Sequence, residues 1–339
     1  YKKPLTHFDL GKQLTDLKNH VDWLREVNSQ SLQMQLRNLD TAFMRFFKGQ
    51  GQYPNFKSRK NRQTFHCPQN VTIEEDKVYL PKFEQGVKIK FDRCLNGKIK
   101  TSTISKTKTG KYFISILIED EFELPTKKNI NIESSIGLDL GITSFIVDSN
   151  RNKIDSPKFL KNSLQRIKVL QRRLRNKKRG SNNKIKAYQK IAILYEKIKN
   201  QRQDFLHKTS SAIIKQHDTV CIEDLNIKGM MTNHKLAQAI GDAGWGMFVE
   251  FLNYKAAWYG KNILQIGRFE ASTKICSSCG RTNKNLTLAD RAWICQCGAS
   301  HDRDINAAIN IKNFAFKKYS GQELAAEPTE LPTLVGALK

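Results

Sequence analysis

Cys276-Ser-Ser-Cys279-Gly280, followed across residues 281 to 294 by Cys295-Gln-Cys297-Gly298, then by His301-Asp-Arg-Asp304-Ile-Asn306-Ala-Ala308, is the stretch on which the reading turns. Four cysteines in two close pairs suit one tetrahedral zinc. Four thiolates leave no open coordination position, so such a zinc is structural. The second pair, Cys295 and Cys297, is separated by a single residue, which leaves its loop less freedom than a Cys-x-x-Cys pair. The competing reading is a set of free, buried thiols. A glycine after each pair and polar residues between the pairs argue against it. Cys67, Cys94 and Cys221 lie scattered elsewhere, a distribution that fits a reducing compartment rather than a disulfide framework.

The rest of the chain is strongly basic. Its 339 residues carry 58 Lys and Arg against 32 Asp and Glu, a formal charge of +26, and 39% of residues are hydrophobic. That is enough apolar material for real cores. The charge points to a polyanionic partner, most simply nucleic acid, with an acidic membrane surface as the alternative. No apolar run approaches the roughly 20 residues of a membrane-spanning helix, and no signal peptide is visible. The sequence starts at Tyr1 rather than Met, so an N-terminal piece is expected to be missing.

Upstream of the cysteines, residues 7 to 48 read as helical, with Leu32, Leu36, Leu39, Phe43 and Phe46 forming one apolar face. Gly49 and Gly51 end it. The segment from Tyr53 to Phe65 interleaves aromatic residues with Lys57, Arg59, Lys60 and Arg62, as phosphate contact and base stacking require. A solvated loop with two anchoring aromatics is the plainer alternative. Residues 70 to 120 alternate in short strands broken by Asn96-Gly97 and Thr109-Gly110, a pattern for a small barrel or sandwich. A linker follows near 125 to 134, then an apolar strand, Ile136-Gly-Leu-Asp139-Leu-Gly141. Residues 157 to 216 form a basic helical hairpin whose tip carries Arg172, Arg173, Arg175, Lys177, Lys178 and Arg179. Further strands are expected at Thr219-Val-Cys-Ile222-Glu223 and at 262 to 266. Helices are expected from 246 to 259 and from 304 to 316.

Three acids stand out. Asp139 sits inside an apolar strand between two glycines, Glu223 ends another strand, and Asp304 opens a helix. An acid in a buried strand is costly unless it is paired or binds a cation. Oxygen ligands from separate elements suit Mg²⁺ or Mn²⁺, and two such ions can drive phosphodiester cleavage. Each acid alone is weak: strand-end aspartates form turns, and Asp304 could be a helix cap. Asp148, Asp224 and Asp302 compete for the same roles.

Taken together, Gly137-Leu-Asp139-Leu-Gly141, Ile222-Glu223-Asp224-Leu-Asn226, Cys276-Ser-Ser-Cys279-Gly280 and Asp302-Arg-Asp304-Ile-Asn306-Ala-Ala-Ile-Asn310 resemble the TnpB (OrfB) proteins of insertion sequences, which are similar to compact type V CRISPR nucleases. The resemblance runs across nearly the whole chain. It implies a multidomain α/β protein: a helical recognition lobe (1–52), a small wedge β-barrel (53–130), and an RNase H-like RuvC domain (131–270) containing the basic helical insertion (157–216). A zinc-ribbon insert (271–300), a last RuvC helix (301–318) and a flexible tail (319–339) complete it. It also implies an RNA-guided, Mg²⁺-dependent DNA endonuclease with Asp139, Glu223 and Asp304 as catalytic metal ligands. Structural Zn²⁺ would sit on the four cysteines. The partners would be guide RNA and double-stranded target DNA, with no membrane, in a prokaryotic cytoplasm at the nucleoid. Asp304 is preferred over Asp302 because it directly precedes the Asn-Ala-Ala signature. A protein-only transposase or recombinase, or a non-catalytic nucleic-acid-binding regulator, are the alternatives.

Overall fold

The computed structural model describes residues 5–58, 62–268, 270–287 and 289–322. The chain divides into two units, residues 1–123 and 124–339.

The first unit opens with helices α1 (His7–His20), α2 (Trp23–Glu26) and α3 (Ser29–Phe47). A capping box starts α1: the Thr6 hydroxyl accepts from the Asp9 N–H, and the Asp9 carboxylate accepts from the Thr6 N–H. The helical stretch expected over residues 7 to 48 comes as three helices, separated where Val21 and Val27 take extended backbone. Asn28 then caps α3 by accepting from the Gln30 N–H. β-Branched residues resist helix, and a cap residue at the next position, Asn28 after Val27, favours a restart. Phe43 and Phe46 of α3 meet the Tyr53 ring edge-on at 5.7 and 5.4 Å.

Six strands follow: β1 (Gln63–Cys67), β2 (Thr72–Glu74), β3 (Lys77–Leu80), β4 (Phe83–Lys88), β5 (Lys98–Lys106) and β6 (Tyr112–Glu119). They form two antiparallel sheets, β1-β5-β6 and β2-β3-β4. Both sheets feed one small core of Cys67, Val71, Val78 and Leu80, with Ile73, Ile99, Ile104 and Ile114 at its edge. Among the described strands the hydrogen bonding does not close into a barrel; the arrangement is two short sheets sharing a core. Gly97 (φ +120°) is required before β5, because a Cβ there would lie 2.5 Å from the Glu119 carbonyl oxygen.

The second unit is built on β7 (Ser135–Leu140), β8 (Ser144–Asp148) and β9 (Lys153–Asp155), then helices α4 (Phe159–Arg175) and α5 (Asn182–Gln216). Strand β10 (Thr219–Glu223) and helices α6 (Ile227–Met230), α7 (His234–Ala243) and α8 (Trp245–Trp258) follow, then β11 (Asn262–Ile266). Strands β12 (Ala292–Ile294) and β13 (Ser300–Asp302) pair as a hairpin, and α9 (Arg303–Gln322) ends the described chain. That helix runs four residues beyond the expected 318; the rest of the expected tail lies outside the described residues. The central sheet has the order β11-β10-β7-β8-β9. Strand β10 is parallel to both β7 and β11, while β8 is antiparallel to β7 and β9 antiparallel to β8.

Strand alternation divides the sheet into two faces. Ile136, Leu138, Val220 and Ile222 point into a core made with Leu206 and Ile214 of α5 and Trp245, Phe248 and Leu252 of α8. On the opposite face, Cys221 and Ile266 pack against Ile311 and Ala315 of α9. Gly137, Asp139 and Glu223 share that second face by period. The basic hairpin is held at its root by Asp242. This buried carboxylate accepts the Leu160 and Lys161 N–H groups at the start of α4 and pairs with Arg202 of α5 at 3.2 Å.

Candidate active site and four-cysteine centre

Register places the first two acids. Ser135, Ile136 and Gly137 of β7 lie opposite Thr219, Val220 and Cys221 of parallel β10. The pairing ends at Gly137 and Cys221; Asp139 and Glu223 each lie two residues further on, on the α9 face by period and near the carboxyl ends of their strands. Gly137 then fixes the helix. A Cβ at Gly137 would lie 2.1 Å from the Ala308 carbonyl oxygen, so α9 rests directly on the bare strand. Ala307 and Ala308 are fully buried there. One turn further along α9, Lys312 Nζ donates to the Ser135 carbonyl at 3.0 Å, so the helix runs antiparallel to β7. One turn back from Ala308 is Asp304, which this direction carries toward Asp139.

The electrostatics agree with the placement. Burial pushes the Asp139 carboxyl up to about 7, and the negative charges of Glu223 and Asp304 push in the same direction; Arg303 and Arg291 oppose them. Glu223 is also raised by burial, against a lowering hydrogen bond from the Ser272 hydroxyl. Arg291 Nη1 reaches Asp304 at 3.5 Å.

The three competing acids are occupied elsewhere. Asp148 accepts the Asn150 and Asn152 N–H groups at 2.9 and 2.8 Å and closes the β8–β9 turn. Asp224 pairs with Arg268 Nε at 2.7 Å. Asp302 caps α9 by accepting the Asp304 and Ile305 N–H groups at 3.1 and 3.2 Å, and it binds Lys153 Nζ at 2.6 Å. The cap role considered for Asp304 therefore belongs to Asp302. Burial first, and then the charges of Glu223 and Asp304, raise the Asp139 carboxyl. Carboxylate oxygens are the donors Mg²⁺ or Mn²⁺ takes, although among the described residues only the four cysteines bring their ligand atoms within 4.8 Å of one another.

The four cysteine sulfurs lie within 4.8 Å of one another. Cys276 Sγ is 3.8 Å from Cys297 Sγ, and Cys279 Sγ is 3.6 Å from Cys295 Sγ, with no disulfide between them. Zinc–sulfur bonds of ~2.3 Å place tetrahedral ligand sulfurs ~3.8 Å apart. The single-residue spacing of Cys295 and Cys297 thus still permits the geometry, and the residues fit one zinc. His301, a buried neighbour that the sequence did not single out as a partner, brings Nε2 to 3.0 Å from Cys276 Sγ and packs its ring on Trp293. Burial alone would raise the Cys276 thiol. The Cys279 and Ser278 N–H groups and the His301 ring outweigh burial and bring it down to about 6.

Two further residues tie this centre to α9. Buried Asn306 accepts from the Ser277 N–H at 2.9 Å and donates to the Ile275 carbonyl at 2.8 Å. Buried Asn310 donates to the Ser272 and Ile275 carbonyls at 2.7 and 2.6 Å. Both asparagines stand in the acidic motif, but nothing in their spacing announces these bonds. The role of Ser272 has no sequence signal beyond its nearness to Cys276.

Of the expected phosphate contacts, Lys57 and Arg62 are exposed, while Arg59 and Lys60 lie outside the described residues. Tyr53 is an anchor against α3, whereas Phe56 projects fully into solvent. Arg172, Arg173, Arg175, Lys178 and Arg179 are exposed and Lys177 half-buried, at the C-terminal end of α4 and in the turn after it. Among the described residues no helix is long and apolar enough to cross a membrane.

Residues 113–234, which include Asp139 and Glu223, match the OrfB_IS605 family model, described as "Probable transposase". Residues 245–311, which include the four cysteines and Asp304, match the Cas12f1-like TNB domain. A Streptomyces pristinaespiralis protein, provisionally named RNA-guided DNA endonuclease, is 38% identical over 91% of this chain and 78% of its own. The chain belongs to the OrfB_IS605 (TnpB) family. InsQ of Escherichia coli K12, provisionally named in the same way, is 30% identical over 97% of this chain and 87% of its own. Among solved structures, Cas12f1 in a complex with sgRNA and target DNA superposes with a TM-score of 0.54 at 16% identity. That match covers 84% of this chain and 70% of Cas12f1, and it shows a shared multidomain α/β fold.

Proposed function

We propose that this TnpB-family chain is an RNA-guided, divalent-cation-dependent DNA endonuclease. Asp139, Glu223 and Asp304 form its metal-binding active site, and Cys276, Cys279, Cys295 and Cys297 hold a structural zinc. One observation carries the reading. The charges of Glu223, near the carboxyl end of β10, and Asp304, in the first turn of α9, both act on buried Asp139 of β7, while the acids beside them are spent on a turn, a salt bridge and a helix cap. The sheet order and the antiparallel β7–β8–β9 edge support an RNase H-like, RuvC-type domain. The two small sheets and the helices of the first unit are read as the wedge and recognition lobe.

Mg²⁺ or Mn²⁺ bound there would supply an activated water and stabilisation of the leaving oxygen of a phosphodiester. The chain's own contribution is to hold the acids. Parallel β7 and β10 carry Asp139 and Glu223 two residues past their last pair, on the same face. The bare Gly137 lets α9 bring in Asp304. Burial raises the Asp139 carboxyl to about 7, so a bound cation would compete with a proton there. The exposed cations of α4 and of the segment after Tyr53 offer sites for phosphates, and base pairing with the guide supplies most of the sequence choice.

The test is to express the chain together with its flanking element DNA, sequence the RNA that copurifies, and assay cleavage of matching DNA. Exchanging the guide portion of that RNA should redirect cleavage to the new match beside the same short adjacent motif. Cleavage that stays on the element ends whatever RNA is supplied, and survives RNase treatment before assembly, would replace this reading with the protein-only transposase. A bound RNA with no cleavage under any divalent cation would leave only the regulator.

A further inference from the structure

The strip from Ser272 to Ser277 connects both sites. Its first residue donates a hydroxyl hydrogen bond to Glu223 Oε1, and its Cys276 is one corner of the four-cysteine cluster. Between those ends, its carbonyls at 272 and 275 and its N–H at 277 are held by the side chains of Asn310 and Asn306. Both amides are almost completely buried, at 2% and 1% exposure, and Ser272 is at 5%, so water does not compete for these bonds. The same helix carries Asp304. Glu223 and Asp304 are therefore cross-braced through Ser272 and Asn310, although they come from elements about 80 residues apart in sequence.

We propose that Ser272 is a positioning residue for Glu223, and that Asn306 and Asn310 make the four-cysteine module part of the frame holding the acidic cluster. A carboxylate with a free rotamer would sample orientations that do not converge on the cation. The Ser272 hydroxyl removes that freedom, and Asn310 keeps Ser272 from drifting. The inference rests on the reading of Glu223 as a metal ligand.

The experiment is Mn²⁺ binding to the full chain, followed by electron paramagnetic resonance of the free ion, with zinc content and circular dichroism recorded for every variant. Asp139→Asn supplies the background from sites elsewhere. Ser272→Ala should weaken the site at least ~10-fold, the usual size of a lost outer-shell contact, with zinc content and helix signal unchanged. Ser272→Thr, which keeps the hydroxyl, should restore binding. Asn310→Ala should reproduce the loss although residue 310 touches neither an acid nor a sulfur. If Ser272→Ala does not fold, Ser272→Gly takes its place in the same comparison. Wild-type Mn²⁺ affinity in Ser272→Ala, alongside loss in Glu223→Gln, would overturn the positioning role. Wild-type affinity in Glu223→Gln as well would mean that the acid-site reading beneath it has failed. Equal loss in Ser272→Thr and Ser272→Ala would also overturn it, by showing that packing rather than the hydroxyl matters.

Discussion

Gly137 and Ala308 touch backbone to backbone: no side chain other than hydrogen fits on the strand beneath the helix carbonyl. This contact seats the whole of α9 and, one turn away, Asp304. Gly137→Ala should therefore cost about 3 kcal/mol or more, the upper range for overpacking, because the atom in the way is backbone. Urea unfolding of the purified variant measures it. A cost below about 1 kcal/mol would show that α9 can slide, and cleavage should then persist.

The acids themselves separate by role. Asp139→Asn, Glu223→Gln and Asp304→Asn should each reduce DNA cleavage below detection while RNA and DNA binding stay within about twofold, since metal ligands act on chemistry rather than on phosphate contacts. Asp302→Ala should cleave at a measurable rate and lose about 1 kcal/mol of stability, the worth of a helix cap. If Asp302→Ala were as dead as Asp304→Asn in folded protein, the assignment between them would be wrong.

Asp139 gives a pH dependence with a definite sign. Its folded pKa, about 7, lies above the usual carboxylate value of 3.8, so the neutral form is the one the fold tolerates. The stability it supports is fully present below that ordinary value and is lost as pH rises through about 7. In protein dialysed free of Mg²⁺ with its zinc content checked as unchanged, the melting temperature should fall between pH 5 and 8 more steeply in wild type than in Asp139→Asn. Added Mg²⁺ should remove the difference and release a proton at pH 6. Parallel slopes for the two proteins would place Asp139 in an ordinary solvated setting.

For the cysteine centre, metal analysis should return about one zinc per chain. The module around it has only a small core of Cys276, Leu286, Trp293 and Cys295, so a bound zinc would supply much of its folding free energy. Cys279→Ser or strong chelation should open the 276–300 region to protease before the central sheet unfolds. Freshly purified, folded protein with a zinc content near zero would reject the assignment.

Much of this was legible in the sequence because the signals were local. The β11 span, the paired cysteines and the α4–α5 hairpin each follow from spacing within a short window. Asp139 could be singled out because an acid inside an apolar strand is anomalous. What could not be read depends on partners far along the chain. The three-residue strands β9, β12 and β13 have too little periodicity of their own, and β13 is held by pairing with β12 beside the cysteines. The motif favoured Asp304 over Asp302, but what Asp302 does instead, capping α9 and binding Lys153 149 residues away, could not be read from it. Ser272, Asn306 and Asn310 look like ordinary polar residues until their buried partners are known.

The exposed arginines of α4 should govern electrostatic affinity. Changing Arg172, Arg173 and Arg175 to Gln should weaken nucleic-acid binding across unrelated sequences. It should also flatten the dependence of log affinity on log salt by about 0.7–0.9 per lost phosphate contact. Filter binding at several salt concentrations reads this directly. An unchanged slope would make the run a merely solvated surface.

Helix α5 gives that surface a mechanical meaning. It runs unbroken for 35 residues without a glycine or proline, a rod of about 52 Å. Its first half packs on α4 through Leu194 and Ile198, and its second half places Leu206, Ile213 and Ile214 under the central sheet. A polyanion that grips the arginine-rich tip therefore pulls on a stiff strut rather than a tether. The load passes without a hinge into the floor of the strands that carry Asp139 and Glu223.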